Sequence, residues 1–356
     1  MGMITNDTLE KIRDQIQARN RHLRDFADLY AAGSWDKIQI DVKGLSRAAL
    51  KTKYPIGTEL VCHYTLGSDV YDCPWVVLDN DRDVEWEDGS IHQGLWLGMK
   101  YATVEDIQFD AAEDTTVDSG EEPNALENWY YWGLTGSTYT KLTVAVGDAL
   151  PFASYDSIHK CGVNNLDVLR YGYNRYRDSG VRQWLNSDKA ATEWWESTHL
   201  GDKAPSQLST RAGFMAGLDA DFLAVLHPVK IQVAANTVTD AGVTDVMYDT
   251  FFLQSLEEVY GVPQKAGVEG LYFPYWKTVT GLNNPSNGSS SETNDARKIP
   301  RISAPTGSAA TVRLRSAYRG TACYAWYVIA TGYLYGVSYG YGASNSYASA
   351  PACVIS

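Results

Sequence analysis

The sequence predicts a mixed α+β chain, and three observations carry that expectation. Residues 5–32 hold an apolar stripe at helical spacing. Residues 57–101 hold apolar runs of strand length between turn signals, and near the end five residues fall on every second position, from Tyr333 to Tyr341. Periods of 3.6 and 2 are the signatures of helix and strand, because side chains repeat on one face at those intervals.

In the first element, Leu9, Ile12, Ile16, Arg19, Leu23, Phe26 and Tyr30 follow three–four spacing, with Arg19 the one polar member. Asn6 or Asp7 can cap the helix, Glu10 sits in its first turn and Gly33 closes it. The stripe suits a helix docked on the body; a short coiled coil joining two or three copies would use a similar stripe, on fewer than four heptads. Residues 1–45 therefore read as an attachment or oligomerisation segment, and residues 46–356 as the body.

The body begins with strands. The stretches 57–66 (GTELVCHYTL), 73–81 (CPWVVLDND) and 90–101 (SIHQGLWLGMKY) alternate or run apolar. Asp79, Asp81 and Asp83 do not make a helix-loop-helix calcium site, since Val84 stands in place of the turn glycine and Ser90 in place of the bidentate Glu. Residues 111–123 form an acidic loop, followed by the cluster Trp129, Tyr130, Tyr131 and Trp132. Ser179 is placed to cap a helix carrying Val181, Trp184 and Leu185. Ser255 is placed to cap a turn with Leu256 and Val259 after the apolar run at 251–253. Residues 281–298, rich in Asn, Ser and Gly, read as a loop into the last strands.

Composition excludes several functions. A net charge of −13 opposes a nucleic-acid partner, because phosphate neutralisation rewards a basic face. No apolar run reaches membrane-spanning length, and the acidic start lacks a signal peptide's apolar core, so the chain is expected to be made in the cytoplasm and not inserted in a membrane. Five widely spaced cysteines show no zinc or disulfide framework. The six histidines show no metal-ligating spacing, and no nucleophile elbow or phosphate-binding glycine loop is present. No enzyme activity, metal or cofactor is expected.

The tail from Thr311 to Ser356 has eight tyrosines and Trp326 among Gly, Ser, Ala and Thr, with no Lys, Asp or Glu. Tyr presents a large stiff contact surface with two torsions to freeze, and small neighbours let the backbone adapt, as in antibody paratopes. Tyr333, Tyr335, Val337, Tyr339 and Tyr341 share one face of an extended chain. The row suits display to a ligand; it also suits a sheet with inward cross-strand Tyr pairs.

The strings LRSAYRG, AWYVIATGYL and SAPACVIS, after RQWLN at 182–186 and FFLQSLEE at 251–258, resemble the C-type-lectin-fold variable proteins of diversity-generating retroelements. The resemblance implies a C-type lectin fold at the C-terminus, elaborated by the β-rich part before it, and a variable region at about 311–342. In such genes, adenines in Asn codons mutate to give Tyr, Ser, Thr, Ile or Val. The implied contact residues are Tyr318, Arg319, Thr321, Tyr324, Trp326, Tyr327, Ile329, Tyr333, Tyr335, Val337, Tyr339 and Tyr341, with Arg313 and Arg315 bracing the scaffold. The implied function is a receptor-binding or virion-displayed protein of a bacteriophage or prophage, recognising a protein or glycan on a cell surface. Two alternatives stand beside it. The Tyr row packs copies of a structural protein, or the chain works as a formylglycine-generating-type oxidase through Cys323 and Cys353.

Overall fold

A computed structural model describes residues 34–115, 128–135, 138–145, 160–161, 166–279, 297–332, 334–335 and 342–356. The stripe at 5–32, the acidic loop at 116–123 and most of the Asn/Ser-rich stretch lie outside the described residues.

The chain is α+β. Helix α1 (Trp35–Gly44) leads to α2 (Arg47–Lys53), whose Ser46 caps it by accepting from the Ala49 amide. The sequence reading missed both. Trp35, Ile38 and Val42 repeat at three–four spacing and are buried, and Trp35 meets Phe222 with ring centroids 4.4 Å apart. These residues therefore pack into the same core as the strands that follow.

Strands β1 (Glu59–Leu66) and β2 (Asp69–Asp79) form a hairpin in the expected place. A small hairpin, β3 (Asp83–Glu85) with β4 (Ile91–Gln93), leads to β5 (Leu95–Met99) and β6 (Ile107–Gln108). A second hairpin, β7 (Asn128–Thr135) with β8 (Thr138–Ala145), carries the expected aromatic cluster on β7, and β9 (Lys160–Cys161) pairs with β7. Short helices α3 (Leu166–Tyr171), α4 (Gly180–Leu185) and α5 (Ala220–Ala224) precede the hairpin β10 (Val229–Ala234) and β11 (Thr244–Asp249). Then come β12 (Phe252–Leu253), α6 (Leu256–Tyr260), α7 (Pro274–Val279), β13 (Ile299–Pro300) and β14 (Ala309–Ala310). The tail supplies β15 (Val312–Ala317), β16 (Ala325–Val328), β17 (Leu334–Tyr335), β18 (Ser346–Tyr347) and β19 (Pro351–Ile355).

Five strands make the main sheet, in the order β1-β2-β5-β19-β12, antiparallel throughout. Burial follows position. Edge strand β1 alternates between exposed and buried residues, while β5 and β19 are buried along their whole length. That is why β1 reads as alternating sequence and β19 as the continuous run PACVI. Gly98 on β5 answers a close approach, since a Cβ there would lie 2.7 Å from the Leu78 side chain. Trp75 anchors the core, 5.2 Å from Phe222 and 5.7 Å from Phe251 by ring centroids.

Both expected caps are present. The Ser179 hydroxyl accepts from the Arg182 amide at the start of α4. Ser255 and Glu258 form a reciprocal capping box on α6, closed by Gly261 in the left-handed region.

Candidate ligand-binding region

The tail strands β15, β16 and β17 form a three-stranded sheet with β16 in the middle. Every residue of β15 and β16 is buried. Arg313 and Arg315 are 2% and 1% exposed, which fits the bracing role read from the sequence.

Arg315 makes a two-toothed ion pair with Glu258, Nη1 to Oε2 at 2.5 Å and Nη2 to Oε1 at 2.9 Å, and also donates to the Leu253 carbonyl. Glu258 is the capping residue of α6, so one carboxylate ties β15 to that helix. Beside it, burial pushes the Glu269 carboxyl up to about 7, and Ser316 donates to it at 2.8 Å.

Arg313 is held differently. Its guanidinium donates to the carbonyls of Ala325, Gly342 and Asn345 and lies 4.6 Å from the Tyr347 ring and 5.7 Å from the Tyr327 ring. Those two rings stack with centroids 5.6 Å apart. Burial pulls the Arg313 pKa down to about 10, which leaves it charged at neutral pH.

The turn joining β15 to β16 is fastened from outside the tail. Asn174 donates through its side-chain nitrogen to the carbonyls of Thr321 and Tyr324 at 2.9 and 2.8 Å, and Asn236 holds Asn174 in turn. Arg319 spends its guanidinium on the carbonyls of Ala235 and Gln264, while Thr237 donates to the Arg319 carbonyl. Arg319 is therefore a staple between loops.

The expected contact residues fall into three groups. Thr321, Tyr324, Trp326 and Tyr327 are 9%, 4%, 9% and 1% exposed, so their surfaces are packed and not displayed. Trp326 and Tyr327 sit on the central strand β16, and Thr321 and Tyr324 lie in the turn that Asn174 fastens. The neighbours β15 and β17 flank β16, and Arg313 with Tyr347 covers the Tyr327 ring, an enclosure that local sequence does not reveal. Tyr318, Arg319 and Ile329 are half-buried, with the Tyr318 ring 5.6 Å from Trp326. Tyr335 stands opposite Tyr327 on β17. Tyr333, Val337, Tyr339 and Tyr341 lie outside the described residues. Within the row Leu334 pairs with buried Val328, and just past it Gly342 bridges to buried Tyr324.

Cys323 and Cys353, the pair the oxidase alternative needs, are both fully buried, and burial pushes both thiols up. The charged neighbour of Cys323 is Asp167, whereas Cys353 has Cys62 beside it. Among the described residues no group of His, Cys, Asp and Glu is arranged to hold a metal ion, and no helix is long and apolar enough to cross a membrane.

One buried titratable cluster escaped the sequence reading. His199 Nε2 lies 3.0 Å from Glu113 and its Nδ1 3.7 Å from Asp202, with all three side chains at least nine-tenths buried. Burial opposes its charge, but the Glu113 hydrogen bond and the charges of Asp110 and Asp202 win and raise its pKa to about 9. A raised histidine pKa stabilises the fold below the unfolded value of about 6.5, and that contribution is lost as pH rises through 9. Buried Asp110 and Asp202, both raised by desolvation, act in the same direction. Urea titrations at pH 6.5 and 9.5 are expected to differ by about 2–3 kcal/mol, the linkage value of such a shift. A His199→Phe variant should flatten the difference; an unchanged pH slope would remove His199 as its cause.

These observations define a class, an α+β protein whose tail strands are braced internally by two arginines. The family DUF6273, described as a domain of unknown function, matches residues 162–356, which is more than half of the 356. The chain belongs to that family. No curated protein and no solved structure matches it. The matched stretch does not complete the main sheet by itself, since its β19 pairs with β5 from the preceding part.

Proposed function

We propose that the chain is a diversified ligand-binding protein of C-type lectin fold, in which the tail presents a tyrosine-rich surface to a protein or glycan on a cell surface. The setting that suits it is a bacteriophage or prophage particle, with the protein as receptor-binding or displayed component. No catalytic step or cofactor belongs to this reading.

One observation carries it. Leu334 and Tyr335, within the period-two row, and Gly342, just past it, are paired with buried residues of an arginine-braced sheet. A recognition surface that tolerates exchange of its side chains needs a base that does not depend on them, and rigid pre-organisation spares binding energy. In this division of labour Tyr318 and Ile329, with Tyr333, Tyr335, Val337, Tyr339 and Tyr341, make the contacts. Thr321, Tyr324, Trp326 and Tyr327 shape the base beneath them, and Arg319 fixes the edge.

Stability measurements separate the two roles. Changing Tyr333, Tyr335, Tyr339 and Tyr341 together to Ser is expected to alter folding stability by no more than about 1 kcal/mol, as for exposed sites. Tyr327→Ala is expected to cost about 3–4 kcal/mol, as for a buried aromatic. Equal losses would make the row part of the core. Light scattering on the fourfold variant tests the other reading, because dissociation of an assembly would assign the row to packing between copies. The diversified origin is tested in the genome, where a near-copy of the segment for 311–342, differing mainly at adenines, should lie beside a reverse transcriptase gene.

A further inference from the structure

Residues 262–271 run between α6 and α7 outside any helix or strand. Among the described residues this segment makes no backbone-to-backbone bond to another element, and its bond from Val268 to Lys265 is internal. Side chains hold it instead. Arg82 donates to the Leu271 carbonyl, Arg319 to the Gln264 carbonyl, and Lys265 to the Gly242 carbonyl and the Thr244 hydroxyl. A surface segment fastened in this way belongs to the part of a fold that opens locally at low cost.

One residue of the segment is buried, and it is a carboxylic acid. Glu269 is seated among three elements. Ser255, the cap of α6, donates to its carbonyl at 2.6 Å, and Arg315 of β15 does so at 3.2 Å. Its carboxyl accepts from the Ser316 hydroxyl of β15 at 2.8 Å and from the Ala234 amide of β10 at 3.4 Å. Gly270 beside it has a φ of +91°, and a Cβ there would lie 2.6 Å from the Glu258 carboxylate, so the backbone turns where no larger residue fits.

An apolar plug would anchor such a segment at lower cost, because a buried carboxylate must be stripped of water. What a carboxyl adds is a grip that depends on its proton. The nearest cation is committed elsewhere, since Arg315 is bound through both terminal nitrogens to Glu258. Lys230, the charged residue of β10, is paired with Glu85, and Lys265 of the segment itself is spent on Gly242 and Thr244. Helix α6 adds another acid, Glu257, and Tyr260, whose hydroxyl donates to the Gly332 carbonyl. Glu269 is left without a counter-charge of its own, and burial raises its carboxyl to about 7.

From this placement we infer that residues 262–271 form a strap latched by the protonated Glu269 side chain, and that loss of the proton lets the strap lift and release Arg319. In the lifted strap Glu269 returns to water as an ordinary carboxylate. The latch therefore holds fully below about 4.5, and its contribution is lost as pH rises through about 7. Lifting withdraws the Gln264 carbonyl, one of the two that hold the Arg319 guanidinium beside the turn from β15 to β16.

Hydrogen exchange of the full chain, corrected for the intrinsic effect of pH on exchange, tests the latch. Between pH 5 and pH 8, protection at 262–271 is expected to fall by about tenfold to a hundredfold beyond any change at β5 and β19, as linkage to a raised carboxyl requires. Glu269→Gln, which keeps the shape and cannot ionise, should leave the strap protected at both values. Should that variant lose its folded spectrum, the Glu269 carboxyl carbon is followed by NMR in the unaltered chain, and its midpoint is expected near 7 and to coincide with strap opening. Equal strap protection at both pH values overturns the inference. A Glu269→Gln variant that keeps the full pH dependence overturns it too, as does a carboxyl midpoint in the ordinary range of about 4. The strap belongs to the body of the protein, and none of these outcomes bears on the tyrosine row.

Discussion

Arg315→Met is expected to lower folding stability by about 3–5 kcal/mol, the cost of leaving a buried carboxylate without its partner. Arg315 and Glu258 have side chains 2% exposed, so neither charge can turn to water. The pair joins β15 to α6, and Glu258 also caps that helix through the Ser255 amide. Removing the arginine strands Glu258 at the junction of the tail sheet and the main body. The Coulomb attraction and the desolvation of the two ions nearly cancel when both are present. It is the broken pair that costs, and the double variant Arg315→Met with Glu258→Gln should therefore recover part of the loss. A coupling of about 2–3 kcal/mol is expected from the cycle.

A pH test separates stranded charge from lost packing. In Arg315→Met the buried Glu258 carboxylate has lost its counter-charge, so the penalty is felt where it is ionised and fades in acid. The deficit measured in urea at pH 8 should exceed that at pH 5. An equal deficit at both values would mean that the guanidinium serves as filler, and the ion pair would lose its place as the joint between β15 and α6.

The parts of this fold that were legible are those in which local spacing meets one environment. Residues 57–66 alternate because β1 is an edge with one covered face, and 73–81 run apolar because β2 is interior. Ser179 and Ser255 announce their helices because a cap is satisfied within three residues. Of the three tail arginines, Arg313 and Arg315 are read as braces and lie buried, Arg313 on carbonyls of the tail and Arg315 on Glu258, whereas Arg319, read as a contact, spends its guanidinium on loop carbonyls. Illegible features depend on distant pairing. Glu113 and His199 meet across 86 residues, and nothing near either predicts the other. The same holds for β19, which enters the sheet beside β5 from the far end of the chain. For the tyrosines, period two correctly groups side chains by face but cannot say whether another layer covers that face. Arg313 and Tyr347 supply that layer over Tyr327, and Asn174 fastens the turn above Tyr324.

Arg313→Leu is expected to cost about 3–4 kcal/mol, from carbonyl acceptors left unmet in a buried site and a lost cation–ring contact. Arg313→Lys, which keeps the charge, should still cost about 2 kcal/mol, because a single ammonium cannot span three carbonyls that a planar fork reaches together. These variants also reach the tail region. Two of the carbonyls, at Gly342 and Asn345, lie just past the tyrosine row, and the third, at Ala325, begins β16. Arg313 is therefore the physical link between the residues just past the row and β16, with which Leu334 and Tyr335 pair. Loosening it should raise amide exchange at residues 342–347 by about tenfold, which corresponds to roughly 1.4 kcal/mol of local protection, while β5 and β19 stay protected. Uniform loss of protection across the molecule would instead make Arg313 a core residue like any other. Retained exchange protection at 342–347 in Arg313→Lys would show that the segment holds without the arginine, through its backbone bonds to Cys323, Tyr171 and Phe109.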